Sequence, residues 1–349
     1  MAYTTIDDPS AHFQIALWTG NGSTPTITND GNSDLQPDWL WGKNRTGSAD
    51  HNYLIDSTRG TNKYVFSNSP SAQITNAAIS SLNSDGFTLT SDVGLNRNSS
   101  TYVGWQWKAN GGSRTTFTES GNNPGGGYQA NTTAGFSIVD YTGTGALGTI
   151  AHGLGVAPTV VWCKGLDDGH AWLVGHTSMS SNFETDLILS NSDAQVDETS
   201  SFNDTAPTSS VFTVNSSGST NQNGEKFIAY CFAPIQGYSK FGSYKGNGNA
   251  DGTFVYTGFS PAWVLVKRFD SGNNWHIHDS KRVPFNPNNK TLYANLTNTE
   301  GTENFDMLSN GFKLRETGGG YNASGGSYIY MAFAESPFVS SEGIPTTAR

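Results

Sequence analysis

Charged side chains are scarce in this sequence. Asp, Glu, Lys and Arg make up 14% of the 349 residues, whereas about 25% is typical of globular proteins. The formal net charge is −10, and the 19 basic residues form no cluster. Because nucleic acid and anionic membrane surfaces attract basic patches, both are excluded as expected partners. A short basic pair such as Lys267-Arg268 is interpreted as a solvated strand end.

Long apolar runs and an apolar leader are also missing. No run approaches the roughly 18 residues that a membrane helix needs, so we expect no membrane insertion. The first ten residues have no basic segment followed by an apolar one, which predicts synthesis in the cytoplasm without a signal peptide.

Cysteine is nearly absent as well. Cys163 and Cys231 are the two cysteines of the chain, and no CxxC spacing suggests a structural metal. We expect two buried thiols in a reducing compartment. A disulfide between neighbouring strands is the alternative that the sequence leaves open.

The residues that replace charge are those of strands and turns. Glycine occurs 41 times and aromatic residues make up 12% of the chain, together with many Ser, Thr and Asn. Turn formers of this kind, alternating with aromatic and β-branched segments, predict an all-β fold.

The same series of motifs occurs three times along the chain. It begins with a turn motif, in LWTGNGS from Leu17, DYTGTGA from Asp140 and SYKGNGN from Ser243. It continues with a proline, an apolar run and a lysine, in PDWLWGK from Pro37, PTVVWCK from Pro158 and PAWVLVK from Pro261. It ends on an aromatic strand, in TYVGWQWKA from Thr101, KFIAYCFAP from Lys226 and SYIYMAFAE from Ser327.

The length of this repeat suggests a domain. A spacing of about 100 residues exceeds the roughly 20 to 50 residues of a solenoid repeat and suits a small β-domain. We therefore predict three tandem antiparallel β-sandwich domains, joined and flanked by short segments. The predicted boundaries are an N-terminal attachment arm at 1–12, sandwiches at 13–109, 135–234 and 235–337, a Gly/Asn-rich flexible linker at 110–134 and a C-terminal tail at 338–349.

Motifs for catalysis or nucleotide binding are weak. The GxGxxG match at 143–148 is followed by further glycines and a proline instead of a helix, so it is read as a turn. The paired acids are adjacent or lie in loops, and no GxSxG motif occurs. We therefore predict a protein that is not an enzyme and has no cofactor.

Two features could hold a metal ion, but both have simpler interpretations. His276 and His278 lie on one face of a strand and are expected to be exposed. The loops at Asp167-Asp168-Gly169-His170 and Asp270-Ser271-Gly272 contain calcium-ligand types, although Asp and Gly also form ordinary turns. The prediction is no metal site.

Tryptophans recur at equivalent strand positions and are predicted to form the core. A further set of rings precedes the turn motifs, at Trp18, Tyr141 and Tyr244. Some of those rings could be exposed and stack on sugars, and the sequence does not decide which.

The motifs YTGTG, PAWVLVKR, WHIHD, SNGFKLR and YIYMAFAESP, with the flanking MAYTTIDDP and GIPTTAR, resemble a domain repeated in virion structural proteins of tailed bacteriophages, especially those of marine and cyanobacterial hosts. The resemblance covers nearly the whole chain, and the second repeat departs most, at GLDDGHAW. It implies a sandwich-like fold in an exposed virion component and carries no catalytic residues.

The expected function is therefore that of a tail fibre or spike component that contributes to host attachment. The expected partners are other phage virion proteins, copies of this chain as a homo-oligomer, and a host cell-surface glycan. The alternative is a capsid decoration or connector protein with an assembly role. Tyr3 and Ile6 of the arm are the predicted virion-attachment residues, because both are apolar groups outside the repeats.

Overall fold

The computed structural model describes residues 2–47 and 49–346, which consist almost entirely of strands and turns. Neighbouring strands pair antiparallel, so the predicted all-β fold class is confirmed. Met1 of the predicted arm and residues 347–349 of the predicted tail lie outside the described residues. Within them, no helix has the length and apolar character needed to cross a membrane.

The strands fall into three units, which we number in chain order. Unit 1 contains β1 Phe13–Thr19, β2 Thr26–Ile27, β3 Trp39–Asn44, β4 Tyr53–Asp56, β5 Lys63–Phe66, β6 Ile74–Thr75, β7 Ile79–Leu82, β8 Phe87–Leu89, helix α1 Val93–Asn96 and β9 Thr101–Trp107. Two strands follow it, β10 Thr115–Phe117 and β11 Gly125–Asn131. Unit 2 contains β12 Phe136–Thr142, β13 Gly148–Ala151, β14 Val160–Gly165, β15 Leu173–His176, β16 Thr185–Ile188, β17 Val196–Asp197, helix α2 Thr199–Phe202, β18 Val211–Val214, helix α3 Gly218–Asn221 and β19 Lys226–Phe232. Unit 3 contains β20 Ser239–Lys245, β21 Phe254–Tyr256, β22 Phe259–Arg268, β23 Trp275–Asp279, β24 Asn288–Tyr293, β25 Gly301–Leu308, β26 Gly311–Leu314 and β27 Ser327–Pro337.

The sequence repeat corresponds to a repeat of strand order. The main sheet runs β1-β9-β3-β4-β5 in unit 1, β12-β19-β14-β15-β16 in unit 2 and β20-β27-β22-β23-β24 in unit 3. In each unit the first strand therefore pairs with the last, and the middle strands follow as hairpins. A second layer contains β2-β8-β7, β13-β18 and β21-β26-β25, respectively.

Each main sheet is apolar on both faces, because successive side chains of a strand point to opposite sides. In β3, Trp39 and Trp41 face one core, whereas Leu40 faces another. In β22, Trp263 and Leu265 correspond to the two tryptophans. This explains why the run after each proline reads as continuously apolar rather than alternating.

One face of every main sheet packs into a single core shared by all three units, which we call the common core. The predicted core tryptophans are confirmed, since eight indole rings lie in it and are at most 1% exposed: Trp39, Trp41, Trp105, Trp107, Trp162, Trp172, Trp263 and Trp275. The ring centroids of Trp39 and Tyr230 of unit 2 are 4.5 Å apart. Trp41 and Trp263 of unit 3 are 6.2 Å apart. The other face of each sheet packs against its own second layer, which gives three private cores.

The segment 110–134 differs from the expected flexible linker. Strand β11 pairs along its whole length with β12, from Gly125 opposite Thr142 to Asn131 opposite Phe136, and β10 pairs with β11. The segment thus extends the main sheet of unit 2. Its glycines were read as flexibility, but glycine also permits close packing: a Cβ on Gly126 would lie 2.0 Å from a backbone oxygen of β12.

Candidate functional site

Three lysines at the equivalent end of the apolar run connect the units in a cycle. Lys43 Nζ donates to a carbonyl oxygen of unit 3 at 2.8 Å, and Lys267 Nζ to one of unit 2 at 2.8 Å. Lys164 Nζ completes the cycle by donating to a carbonyl oxygen between β5 and β6 of unit 1 at 3.0 Å. The interpretation of Lys267 as a solvated strand end is wrong, because its side chain is fully buried between units. Burial lowers the pKa of Lys43 to about 7 and that of Lys164 and Lys267 to about 8.

A second set of equivalent side chains repeats this cycle. Trp172 Nε1 donates to a carbonyl oxygen of unit 1 at 2.8 Å, and Trp275 Nε1 to one of unit 2 at 3.2 Å. The matching residue of unit 1 is Asn52, whose Nδ2 donates to unit 3 at 2.9 Å. Because equivalent residues make equivalent contacts around the cycle, the units are arranged about an approximate threefold axis.

Two buried ion pairs strengthen these interfaces. Asp56 and Asp279 occupy equivalent strand ends, and each binds the arginine three residues later, Arg59 at 2.6 Å and Arg282 at 2.5 Å. The Asp56 carboxylate also accepts the hydroxyl of Tyr230 in unit 2 at 2.8 Å. The Asp279 carboxylate accepts an indole N–H of unit 1 at 3.1 Å. Buried ion pairs of this kind fix the relative position of neighbouring units more than they stabilise them.

The repeated turn motif has a structural purpose in each unit. A fully buried asparagine, Asn96, Asn221 or Asn322, holds the loop by accepting one backbone N–H through Oδ1 and donating to its carbonyl oxygens through Nδ2. The second glycine of each motif has a positive φ, between 66° and 72°, a region that favours glycine. The GxGxxG match at 143–148 is accordingly a clamped turn that leads from β12 into β13.

The rings before these turns are not free to stack on sugars. Trp18, Tyr141 and Tyr244 are at most 9% exposed. Each stacks on an aromatic ring of the last strand of its unit, with interplanar angles of 9° to 11°. The sequence left open whether these three rings are exposed, and the structure shows that they belong to the core.

The predicted attachment residues Tyr3 and Ile6 are engaged within the chain itself. Ile6 is 3% exposed and belongs to the common core. Tyr3 donates its hydroxyl to Gly258 O at 2.6 Å, and Thr4 between them donates to Gln236 O at 2.9 Å. The prediction that both apolar side chains bind another virion protein is wrong for Ile6, because its side chain is already buried in the common core.

The histidine pair differs from the expected exposed one. His276 and His278 share a face, as predicted, but both are buried, because β25 and β26 cover that face. His276 Nδ1 lies 2.8 Å from Glu303 Oε2. His278 stacks on Phe305 at 4.4 Å, and burial lowers its pKa to about 4. These histidines are side chains of the private core of unit 3.

Both cysteine thiols are free and buried. Cys163 Sγ lies 2.8 Å from the hydroxyl of Tyr141, and burial raises the pKa of Cys163 to about 12. Burial likewise raises the pKa of Cys231. The two groups are therefore protonated thiols at neutral pH and poor nucleophiles.

The two Asp/Gly loops differ from one another. In unit 3, the Asp270 carboxylate accepts hydrogen bonds from Arg268 at 2.7 Å and from the backbone N–H of Ser327. This loop is therefore an ordinary turn, as expected. In unit 2, Asp168 and His170 of the loop meet Glu225, which precedes β19, and the ligand atoms of the three lie within 4.8 Å of one another. Sequence reasoning missed Glu225, because it is separated from the loop by more than 50 residues.

An exposed aromatic pair on unit 3 was also missed. Phe254 and Tyr256 project from the same face of β21 and are 44% and 47% exposed. β21 is the edge strand of its sheet. The ammonium group of Lys240 lies 5.3 Å from the centroid of the Tyr256 ring. The signal in the sequence was the alternation of FVY, in which the outer residues are aromatic.

No curated protein and no solved structure matches the chain. One family model matches residues 8–337 and thus runs without interruption through all three units. The chain therefore belongs to the family described as "Domain of unknown function (DUF7483)".

Proposed function

We propose that this protein is a non-enzymatic virion structural protein of a tailed bacteriophage, exposed as part of a tail fibre or spike that contributes to host attachment. The observation that carries the proposal is the closed threefold arrangement of the units on one common core. Closed symmetry is usual for oligomers, in which several identical chains make the same contacts. Here the three units of one chain make such contacts. The resemblance of the repeated motifs to virion domains supports the same assignment.

The polar groups of the cleft beside the arm suit a structural function better than catalysis. A cleft of about 200 Å³ lies where the arm meets units 1 and 3 and contains Asp8, Asp30 and Lys281. Asp8 is engaged by Ser10 and Ser33, each at 2.6 Å. Asp30 is paired with Lys281 at 2.6 Å. The Asp8–Ser33 bond joins the arm to unit 1, the Asp30–Lys281 pair joins unit 1 to unit 3, and both carboxylates are thereby engaged in holding the structure together.

The attachment surface that we propose is the outer face of β21. Phe254 and Tyr256 are neighbours on that face, and flat exposed aromatic rings suit the apolar faces of sugars. The Lys240 ammonium lies beside the Tyr256 ring. It donates to Tyr256 O at 2.8 Å, and an ammonium group has three N–H donors, so it can also donate to a ligand at the edge. A neutral or acidic host glycan is therefore the ligand class.

The capsid decoration alternative has less support. It was based on an arm free to dock on another virion protein, and residues 4–6 are instead bound to this chain. The tail also contacts the arm, because Asp7 accepts the backbone N–H of Ser341 at 2.6 Å.

The test is binding of fluorescently labelled protein to host cells, together with immunogold localisation on virions. We expect labelling of tail structures and saturable cell binding, which Phe254→Ala with Tyr256→Ala reduces at least tenfold. Phe285→Ala is the matched control, because this ring is 81% exposed but belongs to the loop between β23 and β24 instead of β21. Labelling of capsids with no cell binding would support decoration and contradict the proposal.

A further inference from the structure

The cluster of Asp168, His170 and Glu225 has the geometry of a metal site. His170 Nε2 and Glu225 Oε2 lie 3.1 Å apart. Two ligands of one tetrahedral zinc ion, each at about 2.0 to 2.1 Å, lie roughly 3.3 Å apart. The third ligand atom, from Asp168, is within 4.8 Å of both.

The facing atoms are not explained by hydrogen bonding. His170 Nε2 and Glu225 Oε2 are both buried and lack a hydrogen-bond partner among the residues that the structure describes. The Glu225 side chain is only 3% exposed, and its other oxygen, Oε1, accepts the backbone N–H of Asp168 at 3.0 Å. That bond fixes the carboxylate so that Oε2 points at the imidazole. Although the two atoms are 3.1 Å apart, they do not form a hydrogen bond. A buried carboxylate oxygen without a hydrogen bond is costly, and a cation bound between the two groups would satisfy it.

The backbone around the cluster leaves room for these side chains. A Cβ on Gly165 would lie 2.7 Å from Glu225 Oε1, and one on Gly218 would lie 2.8 Å from the His170 ring. The charged groups nearby are Lys164, which donates to Gly165 O at 2.6 Å, and Asp167, which accepts the N–H of residue 226 at 2.9 Å.

The site is particular to unit 2. Strand pairing places Ser100 and Gly326 at the positions equivalent to Glu225, so the other units lack the buried carboxylate. The sequence of unit 2 departs from the repeat at this same hairpin, GLDDGHAW. The loop between β14 and β15 and the residue before β19 both differ from their equivalents in the other units, and they meet in space. This coincidence indicates a function particular to unit 2.

We propose that Asp168, His170 and Glu225 bind one divalent transition-metal ion, with Zn²⁺ as the expected ion. An imidazole and two carboxylates are ligands that suit zinc and leave a fourth position for water. The ion would fix the hairpin between β14 and β15 to the start of β19. Since Leu166 O of that hairpin accepts the N–H of Gln73 from unit 1 at 2.8 Å, the metal would also stiffen the contact between units 1 and 2.

The test is a calorimetric titration of the untagged, EDTA-treated full chain with Zn²⁺, followed by anomalous diffraction at the zinc edge. We expect one ion per chain, a rise in melting temperature and an anomalous peak between His170 and Glu225. His170→Gln and Glu225→Gln should each weaken binding at least tenfold.

Asp270→Asn is the matched control, because it alters the equivalent hairpin of unit 3 and should leave zinc affinity unchanged. If Glu225→Gln fails to fold, His170→Gln decides the matter, since His170 lies on a partly exposed loop. Undiminished binding in His170→Gln would overturn the proposal. So would binding of Ca²⁺ without Zn²⁺, or no zinc heat up to millimolar concentration.

Discussion

The common core predicts that the three units unfold together, and Phe87→Ala tests this. Phe87 is fully buried in the private core of unit 1, in contact with Trp18 at 5.5 Å. Truncation of a buried phenylalanine destabilises a protein by about 3 to 5 kcal/mol. The effect on the melting temperature depends on how many residues unfold with it.

The two outcomes differ in size. If all 349 residues unfold in one step, the unfolding entropy is about 0.7 kcal/mol per kelvin, and a loss of about 4 kcal/mol lowers the melting temperature by about 5 °C. If a unit of about 100 residues unfolds alone, the entropy is about 0.2 kcal/mol per kelvin, and the same loss lowers its transition by about 20 °C.

Differential scanning calorimetry measures this directly. We expect a single peak that moves as a whole, and a faster amide exchange in β22 and β27 of unit 3 as well as in unit 1. Phe312→Ala, the equivalent substitution in unit 3, should produce the same shift. A thermogram that separates, with about one third of the enthalpy melting far below the rest, would refute the reasoning.

Three further predictions follow from buried groups. Asn322→Ala removes four hydrogen bonds from the turn clamp, so the melting temperature should fall by about 3 °C, which corresponds to about 2 to 3 kcal/mol; an unchanged thermogram would count against the clamp. Burial lowers the pKa of His176 and His278 to about 4, below the ordinary 6.5, so stability is complete above pH 6.5 and should decrease as the pH falls toward 4, by up to about 3 kcal/mol per histidine. Burial raises the pKa of Asp186 to about 6, so protonation of this carboxyl opposes the loss of stability between pH 6 and 4. Urea titrations at pH 7, 5.5 and 4.5 measure the net change in the free energy of unfolding with pH. Ile6→Ala should lower stability by about 2 to 4 kcal/mol in the same assay, whereas no change would mean that the arm is not part of the core.

The sequence was sufficient for the fold class and for the interior position of the tryptophans. Repeated motifs gave equivalent strands, and their apolar character required burial. A single sequence could not show what packs against each face of a main sheet. In Trp39-Leu40-Trp41, both faces are apolar, and this pattern is compatible with one thick sandwich as well as with two separate cores. The choice depends on packing between units about 100 residues apart.

Buried polar residues were the main source of error. Lys267 and His278 were expected at the surface, because ionisable side chains are rarely fully buried. Both are buried, since neighbouring elements supply acceptors: carbonyl oxygens of unit 2 for Lys267 and Asn288 for His278. One signal of burial was available in the sequence. A lysine occurs at the same position of all three repeats, and a solvent-exposed position would not require the same residue each time.

The symmetry of the contacts explains why the chain contains three repeats. A main sheet that is apolar on both faces can cover one face with its own second layer, but the tryptophan face needs other sheets. Two units would leave part of that face exposed, and the cyclic contacts made by Lys43, Lys164 and Lys267 close only when each unit has a neighbour on both sides. A trimer of single units could satisfy the same requirement. Fusion into one chain adds the freedom for units to diverge, and the divergent features of this protein are the aromatic pair on β21 of unit 3 and the His/carboxylate cluster of unit 2.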